Sequence, residues 1–431
     1  MPLTRAAGYL LVAAFQGAYT ACPMTRAVIR TGGALWLPFT QMEDFDPSQR
    51  TFVRGDGNYL IDSRGRRIFD AVSSIWTTIH GHCHHAIVEA IARQASTLDH
   101  STLLGASNPA AVELAQRLTA LMHMDYAFFA SDGASAVESA LKMALHYWQN
   151  AGQPHRTRFV HLVDSYHGDT SAAMSVSDIA VFKSRYGAVT FEAYPYDRDP
   201  SLLDRSDIAA IIVEPIVQAA AGMRIVPHER YAALRDMEPL LIVDEIATGF
   251  GRTGTMFAYE QLRLRPDIVC IGKGLTGGTL ALSATVVRDR VYDAFRGKHG
   301  EMKHFFHGHS YAGNPIACAA ALANLDVFES ERTLERAALV IDAVTPALQA
   351  LAQRAPVREV RAAGLMIGIE LAAESIDSGA SITPAWRIAS ELYERGHFTR
   401  PIGDVIQLVP PLSCTVEEIR RFTVDLNDLL A

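Results

Sequence analysis

Cysteine is scarce in this sequence. The 431 residues include five, Cys22, Cys83, Cys270, Cys318 and Cys414. An odd, widely spaced set gives no disulfide framework and fits a reducing, cytoplasmic setting. A basic excess is also missing. Lys and Arg number 39 against 47 acidic residues, a net charge of −8, which argues against a general nucleic-acid binder. Long apolar runs are nearly absent. The one candidate, Ala6 to Ala21, is shorter than the roughly 20 residues that span a bilayer. It follows a single Arg5, is broken by Gly8 and Gln16, and has no clean small-residue cleavage site, so it makes a poor signal peptide. Residues 1–30 read as an extension or a misassigned start, with Met24 as the alternative beginning. A targeting signal or an ordered helix remain the other readings of that stretch. There is no internal repeat and no low-complexity linker.

What is present is an apolar fraction of 49%, which excludes a disordered chain. The length allows two or three domains and a large core. The middle of the chain alternates continuous apolar runs with helical patterns. Candidate strands are Phe159–Val163, Ile208–Val213, Leu240–Val243, Ile268–Ile271 and Ser283–Val287. Helical patterns cover Ser135–Trp148 and Pro227–Met237. Such alternation predicts an α/β fold with a mostly parallel sheet covered by helices. The last third reads as helix Pro315–Ser330, strand Gly364–Leu371, helix Pro384–Arg395 and a short strand, which suits a smaller α+β domain. The segment Phe52–Ile61 reads as a hairpin that packs with that C-terminal part. The expected organisation is therefore residues 31–75 and 326–431 in the small domain and 76–325 in the large one.

Ligands bind beyond the carboxyl ends of strands in open α/β sheets. Charged and aromatic groups collect there: Glu214 after Val213, Asp244-Glu245 after Val243, Gly272-Lys273-Gly274 after Ile271, and Tyr166-His167-Gly168-Asp169 beyond the first run. Lys273, between glycines at the end of an apolar strand, is placed to be buried. Burial lowers a lysine's pKa and frees a nucleophilic amine that can form a Schiff base with a carbonyl such as that of pyridoxal phosphate. Asp244 on the neighbouring strand end suits the pyridine nitrogen of that cofactor. Ser131-Asp132-Gly133-Ala134-Ser135 opens a helix and offers backbone donors for a phosphate, or else an ordinary N-cap through Asp132 or Ser135. Tyr166 is a candidate ring to stack on a flat cofactor.

With these residues in place, the chain resembles the class III, fold-type I (aspartate aminotransferase-like) pyridoxal-phosphate-dependent aminotransferases, from about Leu35 to the C-terminus. The most specific block runs from Val243 to Gly254, followed by Pro266-Asp267-Ile268 and Gly272 to Gly278. The resemblance implies a large domain with a mostly parallel seven-stranded sheet, a small α+β domain, and pyridoxal 5'-phosphate as cofactor. Within the class it points to the branch that aminates 8-amino-7-oxononanoate to 7,8-diaminononanoate in biotin synthesis. The segments Leu35–Met42, Ser73–Gly81, Ser165–Thr170, Glu214–Gln218 and Arg400–Gly403 carry that likeness.

The implied roles follow the motifs. Lys273 binds the cofactor and moves the proton, Asp244 pairs with the pyridinium, and Tyr166 stacks on the ring. Gly133, Ala134 and Ser135 hold the phosphate, with Ser310 reaching in from the second subunit of a homodimer with shared sites. Trp76, Phe39 and Gly308 line the substrate channel, Arg400 binds the acceptor's carboxylate, and Asp169 and Arg252 belong to the polar shell. Two positions depart from the pattern. Ile75 stands where the branch commonly has tryptophan, and Phe39 where tyrosine is frequent. The amino donor therefore stays open between S-adenosylmethionine and lysine, and another ω-aminotransferase is the runner-up. No metal site is expected. His80, His82, Cys83, His84 and His85 lack zinc spacing, and His307 and His309 likewise read as non-ligands. Val88, Ile91 and Leu98 read as a core stripe and Cys270 as packing.

Overall fold

The computed structural model describes residues 35–42, 50–235, 237–372 and 383–431. The apolar stretch at 6–21 lies outside them. The chain forms two compact units, residues 1–53 with 62–65, and residues 54–61 with 66–431. Everything below except Phe39 concerns the second.

Its centre is a seven-stranded sheet. The spatial order is Tyr126–Ala130, Ser283–Val287, Ile268–Ile271, Leu240–Asp244, Ile208–Val213, Arg158–His161 and Tyr194–Pro195. The last five of these run parallel, and Ser283–Val287 is antiparallel to both its neighbours. The four strands Ile208–Val213, Leu240–Asp244, Ile268–Ile271 and Ser283–Val287 are buried at every position. Their unbroken apolar runs reflect helices and loops on both faces. The strand read as Phe159–Val163 is shifted to Arg158–His161, because the chain leaves the sheet at Leu162 and turns over the half-buried Val163 and Asp164.

Helix Gly133–Asn150 covers one face. Ala136, Ala140, Ala144 and Trp148 recur every four residues and pack with Ile212, Ile242 and Cys270. Small alanines let the helix lie close, and the Trp148 indole N–H donates to the Ala209 carbonyl at 2.7 Å. The segment 227–237, expected as a helix, is a 3-10 helix over His228–Leu234. It buries Tyr231 and Leu234, and a period of three aligns that i, i+3 pair. The helix His85–Thr97 also departs from its reading. Ile87 and Ala90 are buried against Ala320 and Ala323, with Ile91 packed alongside, while Val88 is exposed.

A three-stranded antiparallel sheet joins Val357–Ala363, Met366–Leu371 and Val405–Leu408. A separate short sheet pairs Phe69 with His397, so N-terminal and C-terminal segments share it. Among the described residues no helix is long and apolar enough to cross a membrane. The histidines between 80 and 85 serve packing and pairing. His80 lies edge-on to Phe328, His82 pairs with Asp70 at 2.9 Å, and His84 with Glu331 at 2.9 Å.

Burial holds His80 and His161 below the ordinary 6.5, each at about 4. Both stay neutral in the fold but take up a proton on unfolding below their ordinary value. Their stabilising effect is complete above pH 6.5 and is lost as pH falls through about 4. The two together account for a loss on the order of several kcal/mol. Urea midpoints measured from pH 7 downward should fall across this window, and the double variant His80→Asn/His161→Asn should flatten the slope.

Candidate active site

Parallel register sets the site. Val213 lies beside Val243, and Asp244 beside Cys270. Glu214, Asp244 and the Gly272-Lys273 turn therefore come to one edge of the sheet, where a cavity of about 430 Å³ opens. Its wall includes Gly133, Ala134, Tyr166, Asp169, Trp76 and Lys273. Of the residues singled out in the sequence, these and Asp244 are brought together. Glu214 and His167, which the sequence reading put at this sheet edge without giving either a role, join them.

Lys273 is half-buried on the cavity wall, with a backbone φ of +41° that residues other than glycine adopt at a cost. Burial lowers its pKa, and the Arg252 charge adds to that. The carboxylates of Asp244 and Glu214 oppose it. Its Nζ sits 5.1 Å from the centre of the Trp76 ring. Asp244 is fixed from two sides. Its Oδ1 accepts the Ile246 N–H at 3.0 Å, and His167 Nδ1 lies 2.7 Å from Oδ2. An ionised carboxylate can only accept, so that imidazole nitrogen donates. Glu214 accepts the backbone N–H of Tyr166 at 2.9 Å and of Ala219 at 3.3 Å. Burial and then the Asp244 charge push Glu214 well above the carboxylate range. The Tyr166 hydroxyl donates to Asp169 at 2.8 Å, and burial raises its pKa, helped by the Asp169 charge.

The helix starting at Gly133 is capped by Asp132. Its carboxylate accepts the N–H of Ser135 at 3.0 Å and the Ser135 hydroxyl at 2.8 Å. Ser135, expected to bind phosphate, is thus committed to the cap and lies off the cavity wall. The N–H groups of Gly133 and Ala134 remain as the outward donors of the first turn. Close approach there depends on two glycines. A Cβ on Gly133 would meet Ile246 at 2.9 Å, and one on Gly168, whose φ is +129°, would meet the Ala134 Cβ at 2.6 Å.

The remaining expected residues lie elsewhere. Arg252 is not on the wall. It is buried, and its two terminal nitrogens donate to the carbonyls of Pro410 at 2.7 Å and Thr78 at 2.8 Å. It staples segments together, and burial lowers its pKa to about 10. Arg400 is half-buried with its guanidinium 5.8 Å from the Trp386 ring centre. Gly308 and Ser310 are exposed and off this cavity's wall. Phe39, in the other unit, is 57% exposed. His167 had a visible signal, since it follows Tyr166 directly. Glu214 had one too, as the residue after a buried strand.

The family model for class-III aminotransferases matches residues 42–430. An adenosylmethionine-8-amino-7-oxononanoate aminotransferase of Aquifex aeolicus is 41% identical, covering 90% of this chain and 93% of its own. The enzyme of that name from Methanocaldococcus jannaschii is 39% identical, over 89% of this chain and 93% of its own. The crystal structure of the M. jannaschii enzyme superposes with a TM-score of 0.86 at 38% identity, covering 92% of this chain and 96% of that one. An amine transaminase from an uncultivated Pseudomonas species, in its pyridoxal-phosphate-bound form, gives 0.84 at 36% identity over 92% and 98%. The cavity described above fits that cofactor. It has a wall lysine for the aldehyde, an anchored carboxylate for the ring nitrogen, and a glycine-cleared helix N-terminus for the phosphate. On its match to the family model and these relatives over nine-tenths of its length, the chain belongs to the class-III aminotransferases, enzymes that work with pyridoxal phosphate.

Proposed function

We propose that the protein transfers an amino group to the keto carbon of 8-amino-7-oxononanoate, giving 7,8-diaminononanoate, with S-adenosylmethionine as donor. One observation carries the reading: Lys273 lines one cavity with Asp244, Glu214 and Tyr166, in a chain whose relatives bear that enzyme's name. Lysine is the second donor to test, because Phe39 offers no hydroxyl where the branch often has one.

Bound pyridoxal phosphate supplies an electron sink next to the carbon that loses and regains a proton. The chain does the rest. Lys273 anchors the cofactor and, as a neutral amine released from it, holds and returns the proton at Nζ, acting as base and then acid. Asp244, oriented by His167 and the Ile246 N–H, keeps the pyridine nitrogen protonated. Tyr166 packs on the ring, its hydroxyl held by Asp169. Gly133 and Ala134 hold the phosphate through the backbone. Trp76 excludes water above Lys273, and Arg400 receives the acceptor's carboxylate. Gly308 and Ser310, exposed and off their own cavity, support a homodimer in which they complete the partner's site. Among the described residues Cys83, Cys270, Cys318 and Cys414 are unpaired, which fits a cytoplasmic location.

Two experiments test this. In rapid mixing, S-adenosylmethionine should bleach the visible band of the holoenzyme and the oxononanoate should restore it. Bleaching by lysine alone would exchange the donor, and failure of the oxononanoate to restore the band would overturn the acceptor. Lys273→Ala should abolish both the band and turnover. Separately, Gly168→Ala should weaken cofactor retention at least tenfold, about 1.4 kcal/mol or more, measured by dialysis and absorbance. Unchanged retention would remove the phosphate cradle from the reading.

A further inference from the structure

The strand Val405–Leu408 is buried at all four positions, yet its third residue is Gln407. A primary amide has no place in such a strand unless both its ends find partners. Both do. Gln407 Oε1 accepts the Trp76 indole N–H at 2.7 Å, and Nε2 donates to the Arg400 carbonyl. The Gln407 carbonyl in turn accepts the Thr399 hydroxyl at 2.6 Å. One side chain thus ties the cavity wall over Lys273 to the segment that carries Arg400.

Trp76 needs such a tie because its own backbone is strained. Ser73, Ser74, Ile75 and Trp76 have φ of +50°, +48°, +67° and +66°, a complete left-handed turn without glycine. Left-handed backbone is unfavourable for every L-residue and worst for a β-branched one such as Ile75. The turn persists because its surroundings fix it. Asp70 takes the Ser74 N–H at 3.0 Å and its hydroxyl at 2.8 Å. The Ser73 hydroxyl donates to the Val409 carbonyl at 2.7 Å, two residues past Gln407. The first and last residues of the turn are therefore both moored to the 407–409 segment, and the last of them forms the wall 5.1 Å from Lys273 Nζ.

We infer that Gln407 is a positioning residue that fixes the distance between the reacting end of the substrate pocket, at Trp76 and Lys273, and its anion-binding end, at Arg400. The pocket then selects an acceptor by the separation of its keto carbon and its carboxylate. This inference rests on the reading that Arg400 takes that carboxylate.

The test uses the full-length holoenzyme with 8-amino-7-oxononanoate and its methyl ester as acceptors. Gln407→Met keeps the volume but neither hydrogen bond. It should lower the preference for acid over ester at least tenfold, through KM for the acid, with kcat and the cofactor's visible band unchanged. An unchanged preference overturns the inference, as does a matched loss on acid and ester, which a merely structural role would produce. Arg400→Leu is run alongside. If it leaves the preference intact, the Arg400 reading falls and takes the inference with it; if it removes the preference and Gln407→Met does not, the inference alone falls. Trp76→Phe breaks the same hydrogen bond from the other side and decides the matter if Gln407→Met does not fold. It should shift the preference in the same direction, and the double variant should add little to either single one.

Discussion

A one-residue slip between the Leu240–Asp244 strand and its neighbours would turn Asp244 away from the cavity, because successive side chains leave a strand on opposite faces. The apolar packing on both sides of the sheet prevents that slip. Ile212, Ile242 and Cys270 face the helix Gly133–Asn150, while Val213, Val243 and Val269 face the other core. Hydrophobic burial thus places the charges, though it gains nothing from them. Asp244, Glu214 and Lys273 are brought into mutual range at the point where the sheet stops being apolar, and the Asp244 charge alters how readily Glu214 and Lys273 hold theirs.

The walls of the cavity are built differently from its floor. The floor stands on regular strands. The walls rest on irregular backbone: a left-handed turn ending at Trp76, a positive φ at Lys273, and Gly168 in close contact with Ala134. Each such position is unfavourable in isolation and survives because neighbouring bonds over-determine it. Asp70 with Ser74, Gln407 with Trp76, and Arg252 with the Thr78 and Pro410 carbonyls form that outer support. Arg252 is instructive here. A buried guanidinium near the site reads as a ligand for substrate, and here each of its terminal nitrogens donates to a backbone carbonyl, while Nε has no partner among the described residues.

The large sheet and the floor of the site were legible in the sequence because they follow from local pattern. Apolar runs ending in Glu214, Asp244 and Lys273 marked both strands and site. The bounds of Ile208–Val213, Ile268–Ile271 and Ser283–Val287 coincide with those read from the residues. What was not legible depends on partners distant in the chain. Gln407 looks like an ordinary polar interruption until Trp76 is beside it. Ser135 reads equally as a phosphate ligand or a cap residue, and its part in the cap shows only once Asp132 turns back onto it. The 3-10 segment at His228–Leu234 has a helical composition, and only the spacing of its two anchors decides its winding.

The edge strand Tyr126–Ala130 carries a further consequence. Its one partner in the sheet is Ser283–Val287, and all five other strands lie between the two in the chain. The helix that presents Gly133 and Ala134 grows directly from that strand. During synthesis the strand must wait, unpaired, until the rest of the sheet has been made, and closure over such a span is slow. The proposed cradle for the phosphate is thus translated well before the strand that fixes it, and a chain truncated before residue 283 lacks that strand altogether.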